Sequence, residues 1–147
     1  MYVKTLDRLV EKVTETREIN FYVAFDGTKF TRYRDCVDYE RDMVFKALGE
    51  KVDELPELEG VVPLTCDINN ITGNEFHWYH LKTPISISLC NEILQLYGEE
   101  ITRTGVIAVE KTMRKDIRVH YYDDCVRIAK EFFRRFDFDL KFEVSDN

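Results

Sequence analysis

Asp26-Gly27 stands between Phe21, Val23 and Phe25, which alternate with Tyr22 and Ala24, and the short stretch Lys29-Phe30. A dipeptide of this kind flanked by alternating apolar residues closes a β-hairpin. Thr31 then opens a helix in which Val37, Met43, Val44, Ala47 and Leu48 recur every three to four residues, with Tyr33, Cys36 and Tyr39 on the same side. Gly49 is placed to end that helix in a left-handed conformation. Strand, turn, strand and helix over residues 20–48 therefore commit the chain to mixed α and β packing, because each amphipathic face needs an apolar partner layer.

The rest of the chain repeats the theme. Residues 1–19 read as a short helix running into strand, from the spacing of Leu6, Leu9, Val10 and Val13 and the Thr and β-branched content that follows. Residues 50–74 form an acidic connection with Pro56, Gly60, Pro63, Asn69-Asn70 and Gly73, too long to be wholly irregular, so a strand is expected over 61–66 unless the segment is a functional loop. Phe76-His77-Trp78-Tyr79-His80-Leu81 is apolar or aromatic on both faces, as in an interior strand. Thr83 caps a helix with Pro84 at its first position, Ile85, Leu89, Ile93 and Tyr97 as its stripe and Gly98 at its end. Strands are predicted over 105–109, 117–122 and 138–144, with a helix opening at Asp123 or Asp124 whose Cys125, Val126, Ala129, Phe132, Phe133 and Phe136 face the core. Tyr33-Arg34-Asp35-Cys36-Val37 and Tyr122-Asp123-Asp124-Cys125-Val126 echo one another as helix starts: an aromatic, an acid near the positive helix end, then a small buried thiol. The sum is an α+β fold, a single two-layer domain over 1–147 with a mainly antiparallel sheet and about three helices on one face.

A chain of 147 residues suits one core, and 44% apolar with 13% aromatic residues can fill it. No apolar run approaches the ~20 residues of a membrane span and the first residues lack the apolar stretch of a secretion signal, so a cytoplasmic location without membrane contact is expected. Cys36, Cys66, Cys90 and Cys125 are widely spaced and read as reduced thiols.

Charge is segregated. Residues 35–59 carry nine acids against three bases, a net −6, whereas 103–135 carry nine bases against five acids, a net +4. Such bipolarity concerns partners and steering rather than fold. The basic run Lys111, Arg114, Lys115 and Arg118, with Arg127, Lys130 and Arg134 beyond it, offers phosphate contacts, although the acidic balance of the whole chain weighs against nucleic acid as the main partner.

Signatures of phosphate loops, dinucleotide folds, zinc proteases and serine hydrolases are missing. His77 and His80 lie three apart in a strand and point to opposite faces, so they cannot share a metal ion without a bulge. Cys36, Cys90 and Cys125 sit on apolar stripes, which leaves Cys66 as the one thiol in a loop. Neither a catalytic residue, a metal ligand nor a cofactor is therefore assigned.

Phe25-Asp26-Gly27-Thr28-Lys29-Phe30, followed by Cys36 and Tyr39-Glu40, resembles the opening of small bacteriophage and mobile-element accessory proteins. The resemblance implies a context of inhibitors or sponges directed at host defence, anti-CRISPR proteins among them, and carries no active-site residues. It favours a non-enzymatic inhibitor in the host cytoplasm that binds a nucleic-acid-handling protein, such as a CRISPR effector, through Asp38, Asp42, Asp53, Glu54, Glu57 and Glu59. The alternative is a nucleotide binder in which Trp78 and Tyr79 stack on a base and Arg114, Lys115 or Arg118 holds a phosphate. A third is an enzyme assembled from Cys66, His77 or His120, and a thiol, an imidazole and a carboxylate converging within reach of solvent would favour it over the other two. An open sheet edge would also permit a homodimer.

Overall fold

The computed structural model describes residues 2–9 and 16–137. Mixed α and β structure with antiparallel sheets is observed, and the contacts gather into two compact units, Met1–Val44 and Phe45–Asn147.

In the first unit, β1 (Tyr2–Leu9), β2 (Thr16–Val23) and β3 (Lys29–Phe30) form an antiparallel sheet in that order, with Tyr2 opposite Val23 and Leu9 opposite Thr16. The expected helix near the N-terminus is thus a strand. The leucine spacing there is overridden by a ladder to β2, a nonlocal pairing that periodicity does not report. Asp26-Gly27 does make the turn: Ala24 N donates to Thr28 O at 2.9 Å, Gly27 N to Ala24 O at 2.9 Å, and Gly27 takes φ 89°, a conformation that glycine adopts without the strain a side chain brings. Helix α1 (Tyr33–Asp42) returns over this hairpin, where the Tyr39 hydroxyl donates to Asp26 Oδ2 and its ring lies 5.1 Å from that of Phe30. The hydrogen bond favours the ionised carboxylate and so lowers the Asp26 pKa.

The helix expected over 31–48 is broken at Met43 into α1 and α2 (Val44–Lys51). Gly49 does not stop it. The ladder continues to Val52, whose N–H reaches Leu48 O at 2.9 Å and whose side chain is buried.

The second unit is built on a four-stranded antiparallel sheet in the order β4 (Asp53–Glu54), β5 (Glu75–Leu81), β6 (Gly105–Lys111) and β7 (Ile117–Tyr121). β5 is interior, as its two apolar faces require. One face carries His77, Tyr79 and Leu81. Tyr79 hydroxyl donates to the Phe45 carbonyl of α2 at 3.3 Å, and helix α3 (Pro84–Leu94) brings Cys90 beside the same tyrosine. Thr83 caps α3 through Ser86 N at 3.3 Å, and Gly98 closes the turn after it at φ 77°, as the sequence indicates.

The opposite face carries Trp78, Ala108 and Val106, covered by Leu55, Leu58 and Tyr122, the first residue of α4 (Tyr122–Arg134). Helices therefore flank both faces of this sheet rather than one. No strand forms over 61–66. The connection instead spends its backbone bonds locally, in short 3₁₀ turns at Pro56–Leu58 and Ile68–Asn70, and on β5, where Leu55 N donates to Trp78 O and Gly60 N to Phe76 O. Cys36 and Cys125 are both buried one turn into their helices, so α1 and α4 do begin with the same chemistry. On α4 only Cys125 and Ala129 are buried, whereas Phe132 (54%), Phe133 (38%) and Phe136 (60%) are exposed, contrary to their expected place in the core. The strand expected over 138–144 lies outside the described residues, and no described helix is long and apolar enough to cross a membrane.

Candidate metal centre

The β6–β7 hairpin pairs Ala108 with His120 and Glu110 with Arg118. Cross-strand partners share a face, so Glu110 and His120 are diagonal neighbours on the side that also carries Trp78. His120 Nε2 lies 2.9 Å from Glu110 Oε1. The 50–74 connection then supplies a third group. It is pinned to the same face where Trp78 Nε1 donates to Val61 O at 2.9 Å, and a turn from Pro63 O to Cys66 N at 3.1 Å aims the thiol inward. Cys66 Sγ stands 3.4 Å from His120 Nε2 and 3.9 Å from Glu110 Oε1.

Each outward atom of the cluster is tethered. Thr65 Oγ1 meets His120 Nδ1 at 2.7 Å, and Asn74 Nδ2 donates to Glu110 Oε2 at 2.7 Å. Asn74 is itself fixed by Met113 N, which donates to its Oδ1 at 3.2 Å, and by its own donation to Asn70 O at 3.0 Å. Glu110, at 3% exposure, is a carboxylate taken out of water, which is tolerated only because three side chains address its two oxygens.

A relay of the thiol, imidazole and acid kind places the nucleophile on one imidazole nitrogen and the acid on the other. Here Sγ and Oε1 both converge on Nε2, while Nδ1 faces a hydroxyl. Burial pushes the Cys66 thiol up to about 11, with the Glu110 charge adding to the rise and Arg118 opposing it. By itself it stays a protonated thiol near neutral pH, a poor nucleophile. A bound cation reverses that logic, because coordination deprotonates a thiol outright. The three donor atoms all lie within 4.8 Å of one another. Bonds of about 2.0–2.3 Å at tetrahedral angles give donor-to-donor edges of about 3.3–3.6 Å, and the edges here bracket that range.

The residues singled out from the sequence are distributed otherwise than expected. Trp78 (4% exposed) and Tyr79 (0%) are core side chains with their polar atoms committed to backbone carbonyls, so they offer no stacking platform. Arg114 and Arg118 are exposed and line a cleft, while Lys115 is half-buried and takes φ 67° in the β6–β7 turn. Glu54 and Glu59 converge on His77, at 3.0 Å from Nδ1 and 3.9 Å from Nε2, and the His77 ring stacks on Phe45 with centroids 3.9 Å apart. Asp53 reaches Lys82 at 3.8 Å and Glu57 is exposed. Asp38 and Asp42 belong to α1 of the other unit. His80 lies on the face opposite His77, as strand alternation requires.

Of the cluster, Cys66 and His120 are named by the sequence and Glu110, Thr65 and Asn74 are not. An acid closing the apolar run Val106 to Val109 was the available signal for Glu110, since a charge in register with a buried strand must find partners. Comparison with known proteins finds no matching family model, no matching curated protein and no matching solved structure.

Proposed function

We propose that the chain binds a divalent transition-metal ion of the zinc type through Cys66 Sγ, His120 Nε2 and Glu110 Oε1, as the metal centre of an enzyme. The observation that supports this reading is that the thiol and the carboxylate meet the same imidazole nitrogen, while Thr65 and Asn74 hold the far atoms of both the imidazole and the carboxylate. Outer partners of this kind orient metal ligands and set the imidazole tautomer. A thiolate, an imidazole and a carboxylate suit zinc and its neighbours, and three protein donors leave a tetrahedral position for water or substrate, as in catalytic rather than structural zinc sites.

Reduced, metal-free protein titrated with zinc is expected to take up one ion per chain. Cobalt in its place gives a thiolate-to-metal charge-transfer band that vanishes in Cys66→Ser and His120→Ala. Absence of stoichiometric uptake and of that band, in protein shown to be folded, overturns the reading.

A second reading, inhibition of a host nucleic-acid-handling protein, is supported by the exposed acids Asp53, Glu54, Glu57 and Glu59 on and after the short edge strand β4. Reversal of Asp53 and Glu57 to lysine tests it: salt-sensitive capture of such a partner should be lost, and capture that survives the reversal removes the acidic face from consideration.

A further inference from the structure

A cleft of about 480 Å³ opens between residues 69–74 and the β6–β7 turn, lined by Asn69, Thr72, Asn74, Arg114, Asp116 and Arg118 among others. Its volume is that of a small-molecule site. Two contacts fix its walls against one another. Gly73, at φ 78°, brings its Cα so close to Met113 that a Cβ would lie 2.6 Å from that side chain, and Asn74 Oδ1 accepts from Met113 N. The turn itself is a three-residue loop in which Lys115 N donates to Thr112 O at 2.8 Å and Thr112 N to Asp116 O at 2.9 Å, with Lys115 left-handed.

The cleft and the metal centre share Asn74, which lines the one and holds Glu110 of the other. They also share a charge. Arg118 sits directly across the ladder from Glu110 and its field reaches the Cys66 thiol. Among the described residues, Arg103, Lys111 and Arg127 of this unit have carboxylates within 4.0 Å, whereas Arg114 and Arg118 have none that close, although the Arg118 charge also reaches Glu99. Asn69 and Thr72 side chains likewise form no hydrogen bond among the described residues. Asp116 offers an acceptor on the same wall.

We infer that this cleft is the recognition site for a hydroxyl-bearing phosphate monoester, a sugar or nucleoside phosphate, with its phosphate on Arg114 and Arg118 and its hydroxyls on Asp116 and Asn69. Guanidinium groups match phosphate oxygens bidentately, and a carboxylate on the same wall disfavours a bare anion while accepting from a sugar hydroxyl. The assignment names the substrate class of the metal centre and rests on the proposed zinc site for that link, but binding to the cleft does not require the metal.

The test is calorimetric titration, in phosphate-free buffer, of ribose 5-phosphate, AMP and inorganic phosphate into the zinc-loaded protein, into Cys66→Ser, and into Arg114→Ala, Arg118→Ala and, as a control on α4, Arg127→Ala. One ester site per chain is expected, binding at least about ten-fold tighter than inorganic phosphate and weakened about ten-fold or more by either cleft substitution but not by Arg127→Ala. Binding that persists in Cys66→Ser, or in a protein that takes up no zinc, supports the cleft even if the metal centre fails. Zinc uptake without saturable binding of either ester, inorganic phosphate binding as tightly as the esters, or equal weakening by Arg127→Ala overturns the cleft assignment and leaves the metal centre standing.

Discussion

Asn74 Nδ2 donates to Glu110 Oε2 at 2.7 Å, across 36 positions of sequence, and so joins the loop after the Ile68–Asn70 turn to the last turn-facing carboxylate of β6. Replacing Asn74 with alanine removes a donor from a buried charge. The expected loss is about 1–3 kcal/mol by chemical denaturation, together with a roughly 10- to 100-fold fall in zinc affinity. A variant with unchanged stability and unchanged metal binding would show that the amide supports neither.

Thr65 allows these two effects to be separated. Thr65→Val keeps the shape of the side chain and deletes only the group that meets His120 Nδ1 at 2.7 Å. Zinc affinity, followed by competition with a chromophoric chelator, should fall roughly 10- to 100-fold while metal-free stability changes by about 1 kcal/mol.

Gly73→Ala faces two penalties at once, a positive φ of 78° and a Cβ 2.6 Å from Met113. Together they should cost about 1–3 kcal/mol. Met113→Ala relieves only the steric part. In a double-mutant cycle, Gly73→Ala should therefore be milder in the Met113→Ala background than in the wild type, and simple additivity would assign the whole cost to the backbone.

The thiols make an alkaline limit. Burial raises Cys36, Cys66 and Cys90 to about 11 from an ordinary 9.0, so over this window the folded chain retains protons that the unfolded chain has released. Their contribution is intact below pH 9 and is lost as pH climbs from 9 to 11, because stability falls wherever the unfolded state binds fewer protons. Thermal midpoints of the metal-free protein should decline over that interval, and Cys90→Ala should flatten the decline.

Metal-free Cys66 should react slowly with a disulfide reagent at neutral pH and about ten times faster per pH unit up to about 11. Rapid modification at pH 7 that zinc does not slow would contradict both the protonated thiol and its place among the metal ligands.

What the sequence could and could not announce follows from range. The Asp26-Gly27 turn and the Thr83-Pro84 to Gly98 helix are legible because their chemistry is satisfied within a few residues: a positive φ at Gly27, a hydroxyl on Ser86 N, a second positive φ at Gly98. β1 is not, because its pairing with β2 depends on another stretch of chain while Leu6 and Leu9 keep a helical rhythm. Phe132, Phe133 and Phe136 read as core because large apolar side chains usually are, yet they lie exposed near the end of α4. The metal cluster is half legible for the same reason. Cys66 and His120 are chemically conspicuous, but their meeting depends on how an irregular connection lies on β6, and a loop without period leaves no pattern to read.

Glu110 and His120 are ten positions apart on one hairpin, while Cys66 comes from 44 and 54 positions away. The hairpin pair is a local contact, closed by a turn of a few residues, whereas the sulfur depends on a long-range one. The hairpin alone would therefore offer a zinc-type ion a two-armed clasp, and the docking of one loop would add the sulfur that turns a weak hold into a three-point one.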